Sequence, residues 1–374
     1  MLINATINRP VLCYHHRTPL ALDSGQQLPA FSIAYETYGR LSAERNNAIL
    51  VCHALTKDAR MAGRATADGK PGWWDTLTGP GKALDTDRYF LICSNVIGGC
   101  GGSTGPTSIN PATGRAYALD FPVLTVRDMV RAQQQLVEHL GIEQLHGIAG
   151  GCFGGMQALE WLIQFPGKVR RAAVISTTEA TSAHTIALFH IMRRFIREDP
   201  DWCGGRYYEG AFPSKGLTQA ILMGIPIWMN RSGLEAKFGR RGNGQIPGYT
   251  LGAEFTIEDF LEQTARRVDR QFDPNSLLYL TRAQEYFDLV GSYGSLEAAF
   301  GPIDAEVLLL SYDSDWRYPS EEMEKLNKVL RGLGKVSRHE VLHSPLGHGA
   351  FMYDVEGCGV ALRQFFDWGA ESSP

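Results

Sequence analysis

Strong charge of either sign is missing from this 374-residue sequence: 36 Lys and Arg stand against 40 Asp and Glu, a formal net charge of -4. With no basic run either, nothing draws the chain electrostatically to nucleic acid or to an anionic membrane. No uninterrupted apolar segment is long enough to span a bilayer. The N-terminal "MLINATINRPVLCYHH" lacks the basic start and sustained apolar stretch of a secretory signal. Cysteines are few and scattered (Cys13, Cys52, Cys93, Cys100, Cys152, Cys203 and Cys358), without CxxC pairs or a Cys/His cluster of zinc spacing. Their odd number and spread point to mostly buried thiols in a reducing compartment, the cytoplasm, and to no bound metal. Internal repeats and low-complexity tracts are also absent. What is present is 44% apolar residues, enough for a full core in one large domain or a core with a sizeable insertion.

From Phe31 onward, short apolar runs broken by Gly-rich loops read as strands covered on both faces: "FSIAYETYG", "NAILVCHALT" and "YFLICSNVIGG". "TVRDMVRAQQQLVEHLGI" reads as an amphipathic helix capped at Thr125. "QLHGIAG" (strand), "FGGMQALEWLIQFPGKV" (helix) and "RAAVIST" (strand) then alternate as a parallel sheet with right-handed crossovers requires. From about Glu179 to Val290 the pattern turns helical, in "HTIALFHIMRRFIRED", "GLTQAILMGIPIWMN", "IEDFLEQTARRV" and "SLLYLTRAQEYFDLV". The strand pattern resumes in "AEVLLLSYDSD". The helix "SEEMEKLNKVLRGL", the strand "SRHEVL" and the helix "GVALRQFFDW" follow. The expected division is an α/β core of residues 1–178 and 291–374, interrupted by a helical lid, 179–290, over the strand ends.

Gly150-Gly151-Cys152-Phe153-Gly154 fits G-x-nucleophile-x-G between a strand and a helix. Glycines permit the sharp turn and close approach of neighbouring segments, which forces the apical side chain out above the sheet. A thiol there also sits at a helix N-terminus, which favours its anion. A buried, inert cysteine is the alternative, and the flanking glycines weigh against it. The sulfur is expected at the mouth of a cavity. A nucleophile needs a base and a group to orient that base. Asp315, leaving the strand of "LLLSYDSDWRYP", and His348, in "HSPLGHGAF", occupy the strand-end positions where such sheets place functional groups. Asp313 is the competing acid, or a cap for the next helix, and His343 the competing base. The oxyanion hole is expected from the backbone amides of Phe153 and Leu55, the latter in "CHALTKDAR", with His53 supporting that loop.

"CHALT", "GWWDTLTGPGKALDTDRYFLICSNVIGGCGGSTGPTSINPATGRAYALDFPVLTVRDMVRAQ", "GGMQALEW", "FDPNSLLYLTRAQEYFDL" and "SDWRYP" resemble the homoserine O-acetyltransferase family over nearly the whole chain. The resemblance implies an α/β hydrolase core with a helical lid and a homodimer. It also implies ping-pong transfer of an acyl group from an acyl-CoA, acetyl-CoA foremost, to a hydroxyl. It carries the triad onto Cys152, Asp315 and His348. Three positions depart from the family. Cys152 replaces the usual serine. Gly349 replaces an acid that helps hold the substrate ammonium, and Ile221 replaces an arginine associated with the substrate carboxylate. Losing both countercharges argues against a homoserine acceptor, because a buried unpaired charge is costly. Arg60, Arg206 or another lid arginine is the possible substitute. Thr56 and Tyr207, with Tyr208, are further candidates for lining the pocket, although the tyrosines equally suit packing of the lid.

The expected activity is therefore acyl transfer through a thioacyl-Cys152 intermediate between small molecules, with no bound cofactor. An esterase or thioesterase using the same triad is the runner-up. Two further alternatives are an O-acetyltransferase whose serine was exchanged for cysteine and a silent, ligand-binding member.

Overall fold

The computed structural model describes residues 12–63, 70–240, 249–268 and 272–367. One sheet holds eight strands: β1 (Leu12–His16), β2 (Phe31–Tyr38), β3 (Ala48–Cys52), β4 (Phe90–Ser94), β5 (Leu145–Gly151), β6 (Val169–Ile175), β7 (Glu306–Tyr312) and β8 (Ser337–Leu342). Their spatial order is β1-β2-β4-β3-β5-β6-β7-β8. β2 pairs antiparallel with β1 and β4, and all other pairs are parallel. This is the mostly parallel α/β hydrolase arrangement expected from the sequence.

Burial explains the strand patterns. β3, "AILVC", is buried at every position, and β7 at six of seven, because helices cover both faces of the central strands. At the edges, β1 and β8 mix exposed and half-buried residues. α1 (Val126–His139) begins at Thr125, whose hydroxyl accepts from the Asp128 amide at 3.2 Å. The Asp128 carboxylate in turn accepts from the Thr125 amide at 2.8 Å, a reciprocal cap. α2 (Phe153–Gln164) is apolar almost all round and buried at eleven of its twelve residues. Such a helix belongs in the interior, and it forms the buried pedestal of the turn at Cys152.

Between β6 and β7 the described residues form helices and no strand: α3 (Ala183–Glu198), α4 (Ser214–Trp228), α5 (Arg231–Lys237), α6 (Thr256–Arg267), α7 (Pro274–Glu285), α8 (Leu289–Tyr293) and α9 (Leu296–Phe300). "SLLYLTRAQEYFDLV" is not the single helix its pattern suggests. α7 ends near Tyr286, and the Asp288 carboxylate accepts from the Gly291 amide at 2.8 Å to start α8. α10 (Ser320–Gly332) and α11 (Val360–Asp367) return to the core. Among the described residues no helix is long and apolar enough to cross a membrane.

Candidate active site

β5 ends at Gly151 and α2 begins at Phe153, so Cys152 alone carries the reversal. Its backbone sits at φ 58°, ψ −120°, which a residue with a side chain adopts only when its surroundings enforce it. The surroundings are backbone. A Cβ on Gly150 would lie 2.3 Å from the Gly154 carbonyl oxygen, and one on Gly154 would lie 2.1 Å from that of Cys52. Strand, turn and helix therefore meet with no room for side chains. Gly154→Ala is expected to destabilise the fold by about 1–3 kcal/mol, read as a lower denaturant midpoint. An unchanged midpoint would show that the turn tolerates slack.

The other two groups arrive from adjacent strand ends. β7 and β8 run in register, Tyr312 beside Leu342, so the loops leaving them lie side by side. Nδ1 of His348 is 2.8 Å from Oδ2 of Asp315, and both side chains are fully buried. The second oxygen of Asp315 accepts from the amides of Arg317 (3.0 Å) and Tyr318 (3.1 Å), which fixes the carboxylate. With a carboxylate at Nδ1, a proton is held there and Nε2 is turned away from Asp315. Nε2 is buried without a hydrogen-bond partner of ordinary geometry. It still stands close enough to Cys152 for hydrogen bonding to favour the thiolate. Tyr318, Phe351 and Trp228 enclose the imidazole, with ring centroids 5.1, 5.7 and 6.0 Å away.

Asp313 and His343 lie apart from this site. Asp313 does not cap α10, which follows directly on Pro319. It pairs instead with His343, whose side chain is 91% exposed. Cys152 itself is only 2% exposed, so the sulfur does not stand at an open mouth.

Charge and burial oppose each other here. Burial pushes the Cys152 thiol up, but Arg317, then His348, and the Phe153 amide outweigh it and bring the thiol down to about 7. Burial pulls the His348 imidazole down, but Asp315 and then the Cys152 thiolate reverse this and lift it to about 9. Between those values the pair holds a thiolate beside an imidazolium. Acylation should therefore rise as pH climbs through about 7, where the thiol loses its proton. It should fall above about 9, where the imidazolium loses the proton needed by the leaving group. Stopped-flow release of the acyl donor's thiol measures this; onset only in the ordinary thiol range would contradict the pairing.

The amide of Leu55 has no acceptor among the described residues and is free to bind a ligand oxygen. His53 holds this loop: Nδ1 is 2.8 Å from the Ala54 carbonyl oxygen, and Nε2 accepts from the Val96 amide at 3.1 Å. Thr56 follows, exposed. The Tyr207 hydroxyl donates to Asp273 and accepts from the Asn275 amide, while Tyr208 packs against its ring. Both tyrosines thus brace the start of α7. Arg206 is exposed and pairs with Asp120 at 3.3 Å. Arg60 keeps a buried, unpartnered Nε. Ile221 is half-buried on α4 and packs against the core. At Gly349 a Cβ would come within 2.2 Å of Nε1 of Trp228, so the last residue of α4 fills the space an acid there would need.

Three further residues of the site escaped sequence reasoning. Trp228 closes over His348, Lys57 places Nζ 5.9 Å from the centre of the Trp228 ring, and Arg317 lies near the thiol. Arg317 stands inside the quoted "SDWRYP", but spacing does not tell which way its side chain turns. A separate cleft of about 470 Å³ opens at the N-terminal ends of the parallel strands, lined by Arg88, His146, Arg170 and Arg171 among others. The triad stands at the opposite, C-terminal ends, where such sheets bind ligands. Among the described residues no cluster of His, Cys, Asp and Glu is arranged to hold a metal.

The family model described as the alpha/beta hydrolase fold matches residues 47–354. A homoserine O-acetyltransferase of Geotalea daltonii is 45% identical over 350 residues, covering 93% of this chain and 95% of that protein. One of Rhodopseudomonas palustris is 46% identical, covering 90% and 85%. The crystal structure of homoserine O-acetyltransferase from Bacillus anthracis superposes with a TM-score of 0.85 at 32% identity, over 95% of this chain and 98% of that one. That of esterase E22 gives the same TM-score at 30% identity, over 95% and 100%. With a sheet order, a nucleophile turn and relatives that all agree, the chain belongs to the homoserine O-acetyltransferase family of α/β hydrolases.

Proposed function

We propose that this acyltransferase moves a short acyl group from an acyl-CoA, acetyl-CoA foremost, to the hydroxyl of a small molecule other than homoserine, through a thioacyl intermediate on Cys152. The observation that carries this reading is the buried line Cys152, His348, Asp315 beneath Trp228 of α4. The Cys152 thiolate attacks the thioester carbonyl carbon, and the carbonyl oxygen becomes an oxyanion held by the amides of Leu55 and Phe153. The CoA sulfur then leaves with the Nε2 proton of His348. Exchange of one thioester for another is close to neutral in energy. In the second half, Nε2 takes the proton of the acceptor hydroxyl, whose oxygen attacks the thioacyl carbon. The Cys152 sulfur leaves as thiolate, which restores the ion pair and releases the ester.

Exclusion of homoserine rests on charge. Gly349 offers no carboxylate to an ammonium, and Trp228 takes its place; Ile221 offers no cation to a carboxylate. We assign residues 179–290 to a lid that excludes water, so that the acyl group waits for the acceptor. The family likeness and seven unpaired cysteines support a cytoplasmic homodimer. Likeness to esterase E22 favours hydrolysis as the second reading. Incubation with acetyl-CoA, with and without a panel of alcohols, separates the two. Transfer gives ester in excess over free acid when alcohol is present; free acid at an alcohol-independent rate is hydrolysis.

A further inference from the structure

The cleft of about 470 Å³ at the sheet end opposite Cys152 has no part in the chemistry at the triad. Five neighbouring strands open onto it: Asn47 ahead of β3, Arg88 ahead of β4, His146 on β5, Arg170 and Arg171 on β6, and Glu306 at the start of β7. In a chain of formal net charge -4, the cleft thus gathers three arginines and one carboxylate.

Part of that charge has a structural role. The carbonyl oxygen of Phe366, in the last turn of α11, accepts from the Tyr89 hydroxyl at 3.0 Å, Nε2 of His146 at 3.1 Å and Nη1 of Arg171 at 3.3 Å. Arg88 pairs with Asp367 at 2.7 Å, and Nε of Arg171 with Glu306 at 3.2 Å. These contacts tie the helix end to the sheet. Arg170 takes no part in them. Its Nε donates to the neutral Oε1 of Gln144 at 2.7 Å, and its two Nη groups meet no acceptor among the described residues. Nη2 of Arg171 is uncommitted as well.

His146 reports the resulting field. Burial pulls its imidazole down and the Phe366 carbonyl opposes this, but Arg171, Arg170 and Arg88 each pull it further. All three cations therefore act on one ring, on the strand that stands between β4 and β6. A concave wall of low dielectric concentrates such a field and draws anions from solution. Consecutive residues of a strand point to opposite faces, yet Arg170 and Arg171 both reach the cleft, so donors approach its centre from both sides of the sheet. That arrangement suits the tetrahedral oxygens of a phosphate group better than the two coplanar oxygens of a carboxylate. The volume is that of a small-molecule site and leaves room for an organic remainder beyond one phosphate.

We propose that this cleft is a second ligand site, which binds the phosphate group of a small phosphate monoester through Arg170 and Arg171. It does not depend on the reading of Cys152 as nucleophile.

Calorimetric titration at low ionic strength tests it, with ribose 5-phosphate, ribose, inorganic phosphate and malonate as probes. The wild-type protein should bind ribose 5-phosphate, bind inorganic phosphate and malonate more weakly, and ignore ribose. Arg170→Gln should weaken ribose 5-phosphate by about tenfold and Arg170→Glu should abolish its binding, with acetyl-CoA turnover unchanged in both. Arg317→Met, altered at the opposite end of the sheet, should bind as the wild type does. No binding of ribose 5-phosphate would overturn the proposal, as would binding that survives in Arg170→Glu or disappears in Arg317→Met. Inorganic phosphate or malonate held as tightly as ribose 5-phosphate would overturn the assignment to a phosphate monoester.

Discussion

Cys152→Ala should lose acyl transfer by about 10⁴-fold or more while remaining folded. The substitution removes one sulfur from a buried position and keeps the Cβ that already occupies φ 58°, so the backbone of the turn has no new strain to relieve. Its unfolding midpoint should stay near that of the wild type, which separates loss of chemistry from loss of structure. Cys152→Ser is the informative contrast. A hydroxyl ionises far less readily than this thiol, so it needs His348 neutral and acting as a base. The serine form should therefore retain ester cleavage with an activity onset set by the imidazole. A folded but wholly inactive serine form would count against the triad, since the same geometry would then have failed with the nucleophile it holds in other hydrolases.

Asp315→Asn should lower kcat/KM by about 10²–10⁴-fold. Its carboxylate is the leading group that lifts the His348 imidazole against burial, and it holds the Nδ1 proton that leaves Nε2 to the sulfur. An amide keeps an oxygen for the Arg317 and Tyr318 backbone donors, so the loop should survive while the charge is lost. The descending limb of the pH profile should then move below about 9, because the imidazolium gives up its proton more readily without its counterion. A variant with near-wild-type rate and an unmoved upper limb would show that Asp315 is a turn residue only.

The turn at Cys152 was legible because glycine, the residue that permits backbone contact, is visible as a letter. Asp315 and His348 were legible because continuous apolar runs mark buried parallel strands, and the polar residues just beyond them fall at one sheet edge. Asp315 was preferred to Asp313, two residues earlier, because it lies further out of the strand and just before the proline turn, and the structure parts the two. One turns outward to His343 and the other inward beneath Tyr318. β1 was missed because "LCYHH" is an edge strand whose exposed positions carry no apolar run. The long helix read in "SLLYLTRAQEYFDLV" divides because the Asp288 side chain starts a new one, a local hydrogen bond that competes with apolar periodicity. Arg317 and Trp228 matter through where their side chains turn: one toward the thiol, the other into the volume beside Gly349. Neither has a signature in spacing.

Intact-mass and peptide mass spectrometry after rapid mixing with acetyl-CoA tests the central claim most directly. One acyl adduct should appear on the peptide bearing Cys152, form at the rate of CoA release, disappear when the acceptor alcohol is added, and be missing from Cys152→Ala. Turnover with no adduct on that peptide under any quench, or the same adduct in Cys152→Ala, would contradict it.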